Sequence, residues 1–319
     1  MSDAIPVIDL TDLETGNPQA LARIAHDIGS AARDIGFFYV RNHGVAADLI
    51  DAAFAASAKF FALPTAEKAA IAIDKVGANR GYAGLLTEAL DPTRPADLKE
   101  AFNIGFDDPA TGLGADGRGR NAWPRLDGFQ PVMQAYFDAV LALGRRLHRA
   151  IAVDLGLEPD FFADKLDHPL ATLRLLHYPP HPADALAGQI GAGAHTDYGN
   201  ITLLATDAVG GLEVCRRDGV WVAAPVIPGT FVVNIGDSLM RWSNDVYVSN
   251  PHRVVNRGNR ERWSIAFFLD ANPDAIISAL PGCVAPGALA KYPPVTMAAY
   301  LRQRLNATYG AAVGIDTVP

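Results

Sequence analysis

From residue 171 onward the chain is a succession of short apolar runs: "ATLRLLHYP", "ITLLAT", "GLEVCR", "VWVAAPV", "GTFVVNIGD", "HRVVN" and "RWSIAFFLD". Each run is short for a helix, and Gly, Pro, Asn and Asp separate them. Many short strands with turn signals at close intervals predict an antiparallel sandwich or barrel, and a jelly roll fits best. The first half follows a different period. Leu21, Ile24, Ala25, Ile28, Ala32 and Ile35 recur at helical spacing up to Gly36, and "ADLIDAAFAASAKFFALP" repeats the pattern until Pro64 stops it. A long helix is expected from about Gln130 to Leu155, with Val132, Met133, Phe137, Val140, Leu147 and Ile151 on one stripe. "IPVIDL", "FFYVRNHG" and "KEAFNIGF" read as strands in a region whose stretch from 77 to 128 is otherwise loop-rich, and "TMAAYLRQRLNATYG" reads as a closing helix. The class is mainly β with flanking helices (α+β).

With 319 residues, half of them apolar, the chain can bury a substantial core. Its 27 basic and 35 acidic residues give a net charge of −8 with no block of like charge, so neither nucleic acid nor an anionic membrane surface is an expected partner. There is no run of roughly 18–20 apolar residues, and "MSDAIPVIDL" lacks the layout of a signal peptide, so the expectation is a cytoplasmic protein acting on a small molecule. Cys215 and Cys283 lie too far apart in sequence for a close-spaced thiolate site and read as small, partly buried hydrophobes.

Chemistry concentrates in "GAHTDYGNITLL". On a strand, His195 and Asp197 share a face unless a turn begins between them. Such a pair, taken alone, is more often a turn or a surface hydrogen bond. His252, in "SNPHRVVN", is the only histidine downstream of Asp197 and heads another strand. Two imidazoles and one carboxylate on one face of an octahedral ion leave the other positions open, the arrangement of non-haem Fe(II) oxygenases. Ten residues on, Arg262 and Ser264 share a face of "RWSIAFF". Facing inward, the guanidinium and hydroxyl would grip a ligand carboxylate; facing outward, Arg262 would pair with Glu261 or Asp270.

Other motifs carry less. "GDSL" would make Ser238 a hydrolase nucleophile, but it lies late in the chain with no partner for a triad, and "NIGDSL" reads as a turn between core strands. "GQIGAGAH" precedes a strand, not the helix a dinucleotide fingerprint opens, so its glycines read as tight turns or close backbone approach. His26 and His148 fall in helices among charged residues and are expected in solvent. His43 is expected to make a turn hydrogen bond, His168 and His181 have no assigned role, and His177 should face away from whatever Tyr178 faces. Met240, Trp242, Phe267 and Phe268 read as core.

Over nearly its whole length the chain resembles the 2-oxoglutarate and Fe(II)-dependent oxygenases of the isopenicillin N synthase-like branch. The resemblance rests on "IPVIDL", "GFFYVRNHGV", "FFALPTAEK", "RGY", "DLKEAFNIG", "YPP", "GAHTDYGNITLL", "GGLEV", "VVNIGD", "SNPHRVVN" and "RWSIAFF". It implies a double-stranded β-helix (jelly roll, cupin-like) core at 168–273, a helical and stranded region at 4–128, a connecting helix at 129–165 and a tail at 274–319. It further implies iron on His195, Asp197 and His252, the far carboxylate of 2-oxoglutarate on Arg262 and Ser264, and assistance from Tyr178. Leu176 departs from the pattern, since many members carry asparagine there. The expected reaction consumes O₂, releases succinate and CO₂ and oxidises a small organic substrate, with hydroxylation as the default. An oxidase of the same fold that does not use 2-oxoglutarate stays open, because some such members keep the Arg-x-Ser pair for a carboxylate of their own substrate.

Overall fold

The computed structural model describes residues 5–13, 16–77, 79–114, 119–182, 185–256 and 260–309. It opens with β1 (Val7–Asp9), α1 (Pro18–Asp34), β2 (Phe37–Arg41) and α2 (Ala47–Phe61), then the short helices α3 (Thr65–Ala70) and α4 (Ile73–Val76) and the strands β3 (Gly81–Ala83) and β4 (Glu100–Gly105). The long helix α5 (Phe129–Asp154) follows. Next come β5 (Ala171–Tyr178), β6 (Ala192–His195), β7 (Ile201–Thr206), β8 (Leu212–Cys215), β9 (Trp221–Ala223) and β10 (Thr230–Ile235). The chain continues through α6 (Asp237–Trp242), β11 (His252–Val254), β12 (Arg262–Leu269), the two-residue strands β13 (Ile276–Ile277) and β14 (Val295–Thr296), and α7 (Met297–Tyr309).

The strands form the jelly roll expected of the sequence. One eight-stranded sheet runs β1-β2-β10-β7-β12-β5-β4-β3, and a four-stranded sheet runs β6-β11-β8-β9. The N-terminal strands do not stand apart: β2 pairs with β10, and β4 pairs with β5. Alternation along β5 and β12 divides their side chains into two sets. Leu173, Leu175, Ile265 and Phe267 join the core on the helical side, where the Phe267 ring meets Phe137 edge-on with centroids 4.9 Å apart. Thr172, Arg174, Leu176 and Tyr178, with Arg262, Ser264, Ala266 and Phe268, line a cavity on the other side.

Helix α5 lies close to the sheet because residue 144 has no side chain: a Cβ there would fall 2.5 Å from Leu269 Cδ2. One turn on, His148 departs from expectation. It is 1% exposed, not solvated, because its charged neighbours in sequence point outward while the helix turns its own face to the core. Its Nδ1–H donates to the Gly144 carbonyl at 2.8 Å, leaving Nε2 to accept from Asn200 Nδ2 at 3.3 Å. "NIGDSL" also differs from the expected turn, since helix α6 begins at Asp237. That helix staples the loop after β6: Asp237 N donates to the Asp197 carbonyl at 2.8 Å, and Gly236 N donates to that of Asn200 at 2.9 Å.

Candidate functional site

His195 ends β6, and His252 begins β11 directly opposite it in the antiparallel register. Their rings lie 4.3 Å apart, and Phe37 packs edge-on against His252 with centroids 5.3 Å apart. Asp197 stands on the stapled loop two residues past His195. Its Oδ1 lies 3.8 Å from His195 Nε2 and 3.7 Å from His252 Nε2, and one ligand atom from each of the three residues falls within 4.8 Å of the others.

The surroundings leave those three atoms free to share an ion. A carbonyl can only accept, so the 2.8 Å contact from His195 Nδ1 to the Gly193 carbonyl puts the ring proton on Nδ1 and leaves the Nε2 lone pair unused. Asp197 Oδ2 accepts from Thr202 Oγ1 at 2.5 Å and from Asn234 Nδ2 at 2.8 Å, which fixes the carboxylate with Oδ1 turned to the imidazoles. Burial and the neighbouring His252 hold His195 in its neutral form, well below the usual imidazole range. Burial opposes the charge on Asp197, yet His252, His195 and the two hydrogen bonds outweigh it and keep the carboxyl below its usual range. Two imidazole nitrogens and one carboxylate oxygen, none of the three atoms hydrogen-bonded elsewhere among the described residues, are a donor set that suits Fe(II).

The same cavity, about 170 Å³ in volume, carries Arg262, Ser264 and Tyr178 on its wall. Arg262 faces inward and is fully buried, so the outward pairing with Glu261 or Asp270 does not occur. Its Nε donates to the Gly210 carbonyl at 2.6 Å and its Nη1 to Ser264 Oγ at 3.2 Å, while the Tyr178 ring lies 4.6 Å from the guanidinium carbon. Nη2 is buried without a hydrogen-bond partner among the described residues. A buried cationic donor of this kind is costly unless an anion completes it. The residues therefore fit the distal carboxylate of 2-oxoglutarate. Leu176 also faces the cavity and supplies an apolar patch where a polar contact was expected to be lost.

Among the remaining sequence candidates, Ser238 is fully buried and donates to Asn200 Oδ1 at 2.5 Å. That asparagine separates it from the imidazole of His148, so it has no base and is no nucleophile. His177 faces away from the cavity, bonded to Glu100 Oε1 at 2.8 Å and stacked on Trp263. His43 Nδ1 accepts from Val45 N, the turn bond expected of it. The Gly193 position needs its glycine, since a Cβ would fall 2.7 Å from the Asp91 backbone nitrogen. Cys215 and Cys283 are free and partly buried.

Sequence reasoning missed several cavity residues: Phe268, Thr202 and Asn234, and a polar wall of Glu88, Lys99, Asn103 and Arg174. Arg174 and Phe268 were within reach, because they alternate in phase with Tyr178 and Ser264. Glu88 sits in the loop-rich segment, where no periodicity reports orientation, whereas Lys99 and Asn103 are in phase along the run "KEAFNIGF". Leu301 and Leu305 of α7 close one side. Among the described residues, no helix is long and apolar enough to cross a membrane.

Two family models match this chain. Residues 5–126 match the N-terminal region of the non-haem dioxygenases in morphine synthesis, and residues 169–271 match the 2OG-Fe(II) oxygenase superfamily. A 2-oxoglutarate-Fe(II) type oxidoreductase of Emericella nidulans, hxnY, is 36% identical, the match covering 97% of this chain and 91% of that one. A full-length Neurospora crassa protein crystallised in complex with alpha-KG superposes with a TM-score of 0.87 at 37% identity, covering 97% of this chain and all of that one. JOX2 in complex with 2OG, Fe and JA superposes with a TM-score of 0.80 at 30% identity, covering 99% and 90%. With a His–Asp–His cluster that could hold iron and a buried arginine sharing one jelly-roll cavity, the chain belongs to the 2-oxoglutarate- and Fe(II)-dependent dioxygenase family.

Proposed function

We propose that His195 Nε2, His252 Nε2 and Asp197 Oδ1 hold one Fe(II), and that Arg262 and Ser264, over the Tyr178 ring, hold the far carboxylate of 2-oxoglutarate. The observation that carries this reading is the buried, unpartnered Nη2 of Arg262 in the same cavity as the His–Asp–His cluster. The chain is a 2-oxoglutarate-dependent dioxygenase. When bound, the metal and its cosubstrate supply the oxidising chemistry: 2-oxoglutarate and O₂ become succinate, CO₂ and one oxygen atom delivered to a substrate C–H bond.

The protein's own share is placement and dryness. Thr202 and Asn234 hold the Asp197 carboxylate so that it does not rotate away. The Gly193 carbonyl sets the tautomer of His195. Leu176, Leu212, Val254 and Ala192 wall the cavity near Tyr178 and keep water from the buried guanidinium. Arg262 then reads carboxylate geometry with its remaining N–H groups. Complexes of the same full-length Neurospora crassa protein with thymine and with 5-formyluracil support a compact organic molecule as the substrate to be hydroxylated here.

Oxygen uptake and succinate release by the Fe(II)-loaded protein test this reading. Both should require 2-oxoglutarate. Oxygen consumption without succinate release would instead favour an oxidase that draws its electrons from substrate alone.

A further inference from the structure

Beyond the His–Asp–His cluster, four buried ionic side chains form one connected chain of contacts, and three of them, Glu88, Lys99 and Arg174, stand on the cavity wall. Asp97 pairs with Lys99, Lys99 reaches Glu88 Oε2 at 3.3 Å, and Glu88 Oε2 accepts from Arg174 Nη2. Side-chain exposure is 3% for Asp97 and Lys99, 10% for Glu88 and 12% for Arg174. Asp97 is itself anchored, since its Oδ1 accepts from Gly193 N at 2.8 Å, two residues before His195. Burial opposes the charge of Glu88, but Arg174 and Lys99 outweigh it and hold the carboxyl down at about 2. Two acids and two bases therefore cancel.

On the iron and 2-oxoglutarate reading above, the other end of the cavity cancels as well. The charges of the ferrous ion and Arg262 match those of Asp197 and of the two cosubstrate carboxylates. The remaining acid on the wall is Asp270. No cation among the described wall residues is left to receive an acidic substrate. Such an ion would lose its hydration with nothing to replace it, or would have to displace the tethered Glu88 and strand it. Two buried oxygens on this wall have no hydrogen-bond partner among the described residues: Asn103 Oδ1 and Asp270 Oδ1. The Asn103 amide nitrogen is already committed to Asn79, to its backbone and side-chain oxygens, at 3.1 Å each. Leu90, Phe268, Leu301 and Leu305 supply the apolar remainder of the wall.

We infer that the prime substrate is a compact, uncharged molecule bearing amide-type N–H donors, and that the Asp97–Lys99–Glu88–Arg174 chain excludes carboxylic acids from the site. The inference rests on the iron and cosubstrate reading, and its test separates the two. Protein loaded anaerobically with Fe(II) and 2-oxoglutarate is first checked for a visible charge-transfer band. It is then titrated with ring-matched probes, uracil against orotate and nicotinamide against nicotinate. Binding is read as perturbation of the band and as a rise in melting temperature.

A neutral member should bind at least ~10-fold more tightly than its acid. Substituting Glu88→Gln, which leaves a cation in excess, should bring the acid members in at least ~10-fold more tightly than the unaltered protein does. With the band present, an acid binding as tightly as its neutral partner, or no neutral probe binding at all, overturns the inference alone. Absence of the band with 2-oxoglutarate overturns the underlying reading as well. If E88Q does not fold, the comparison on the unaltered protein decides the matter.

Discussion

Replacing Arg262 with methionine should weaken 2-oxoglutarate binding far more than it weakens the fold. Methionine fills much of the same volume but removes every donor. Removing one partner of a buried, hydrogen-bonded charge pair costs ~2–5 kcal/mol, which is roughly a 30- to 5,000-fold weaker association. The lower half of that range is expected, because Ser264 Oγ stays in place once released from Arg262 Nη1. The fold also loses something: the half-buried Gly210 carbonyl gives up its 2.6 Å donor, at a cost of ~1 kcal/mol. The two effects separate experimentally. Anaerobic titration of the Fe(II) form with 2-oxoglutarate, read by the charge-transfer band, gives the dissociation constant, and the melting temperature reports the fold. A dissociation constant within about threefold of the unaltered protein, on a folded variant, would refute the assignment of Arg262.

Thr202→Val removes one of the two hydrogen bonds that orient Asp197, and iron affinity measured by chelator competition should fall ~10- to 100-fold with the fold intact. Ser238→Ala should leave 2-oxoglutarate-dependent turnover in place and lower stability by ~1–3 kcal/mol in denaturant titration, because Asn200 Oδ1 loses its buried donor. Acid should destabilise the metal-free protein in two windows. Burial pulls His148 from 6.5 to about 4, so the unfolded chain takes up that proton first and stability falls as pH drops from 6.5 towards 4. Glu100 is held at about 2 against burial by His177, Lys68 and Tyr82, so its contribution is intact above 4.5 and lost as pH falls towards 2. Calorimetry across pH should show both, and His148→Gln should reduce only the upper one, to which His43 and His195, also lowered by burial, contribute the rest.

Much of the site was legible because strands transmit orientation. Once β12 is recognised, the two-residue spacing puts Arg262 and Ser264 on one face, and the same rule turns His177 away from Tyr178. What alternation leaves undetermined is which face is the inner one, and the outward alternative for Arg262 falls only when its face is seen buried on the cavity wall. His148 was misread for the opposite reason. Its position on α5 lies in a window where Arg145, Arg146 and Arg149 dominate the pattern, and a single buried histidine satisfied by a carbonyl leaves no periodic trace. Glu88 was invisible because its orientation comes from tertiary ion pairs in a segment without regular period, while Lys99 opens the run read as a strand and alternates in phase with Asn103.

Metal stoichiometry decides whether these three residues hold iron: the unaltered protein and Asp197→Ala are both loaded anaerobically with Fe(II), desalted and assayed for iron by elemental analysis. One iron per chain in the former and almost none in the latter is the predicted result, since the carboxylate supplies the only negative charge in the three-residue cluster. Undiminished iron in a folded Asp197→Ala protein would place the metal elsewhere and contradict the account.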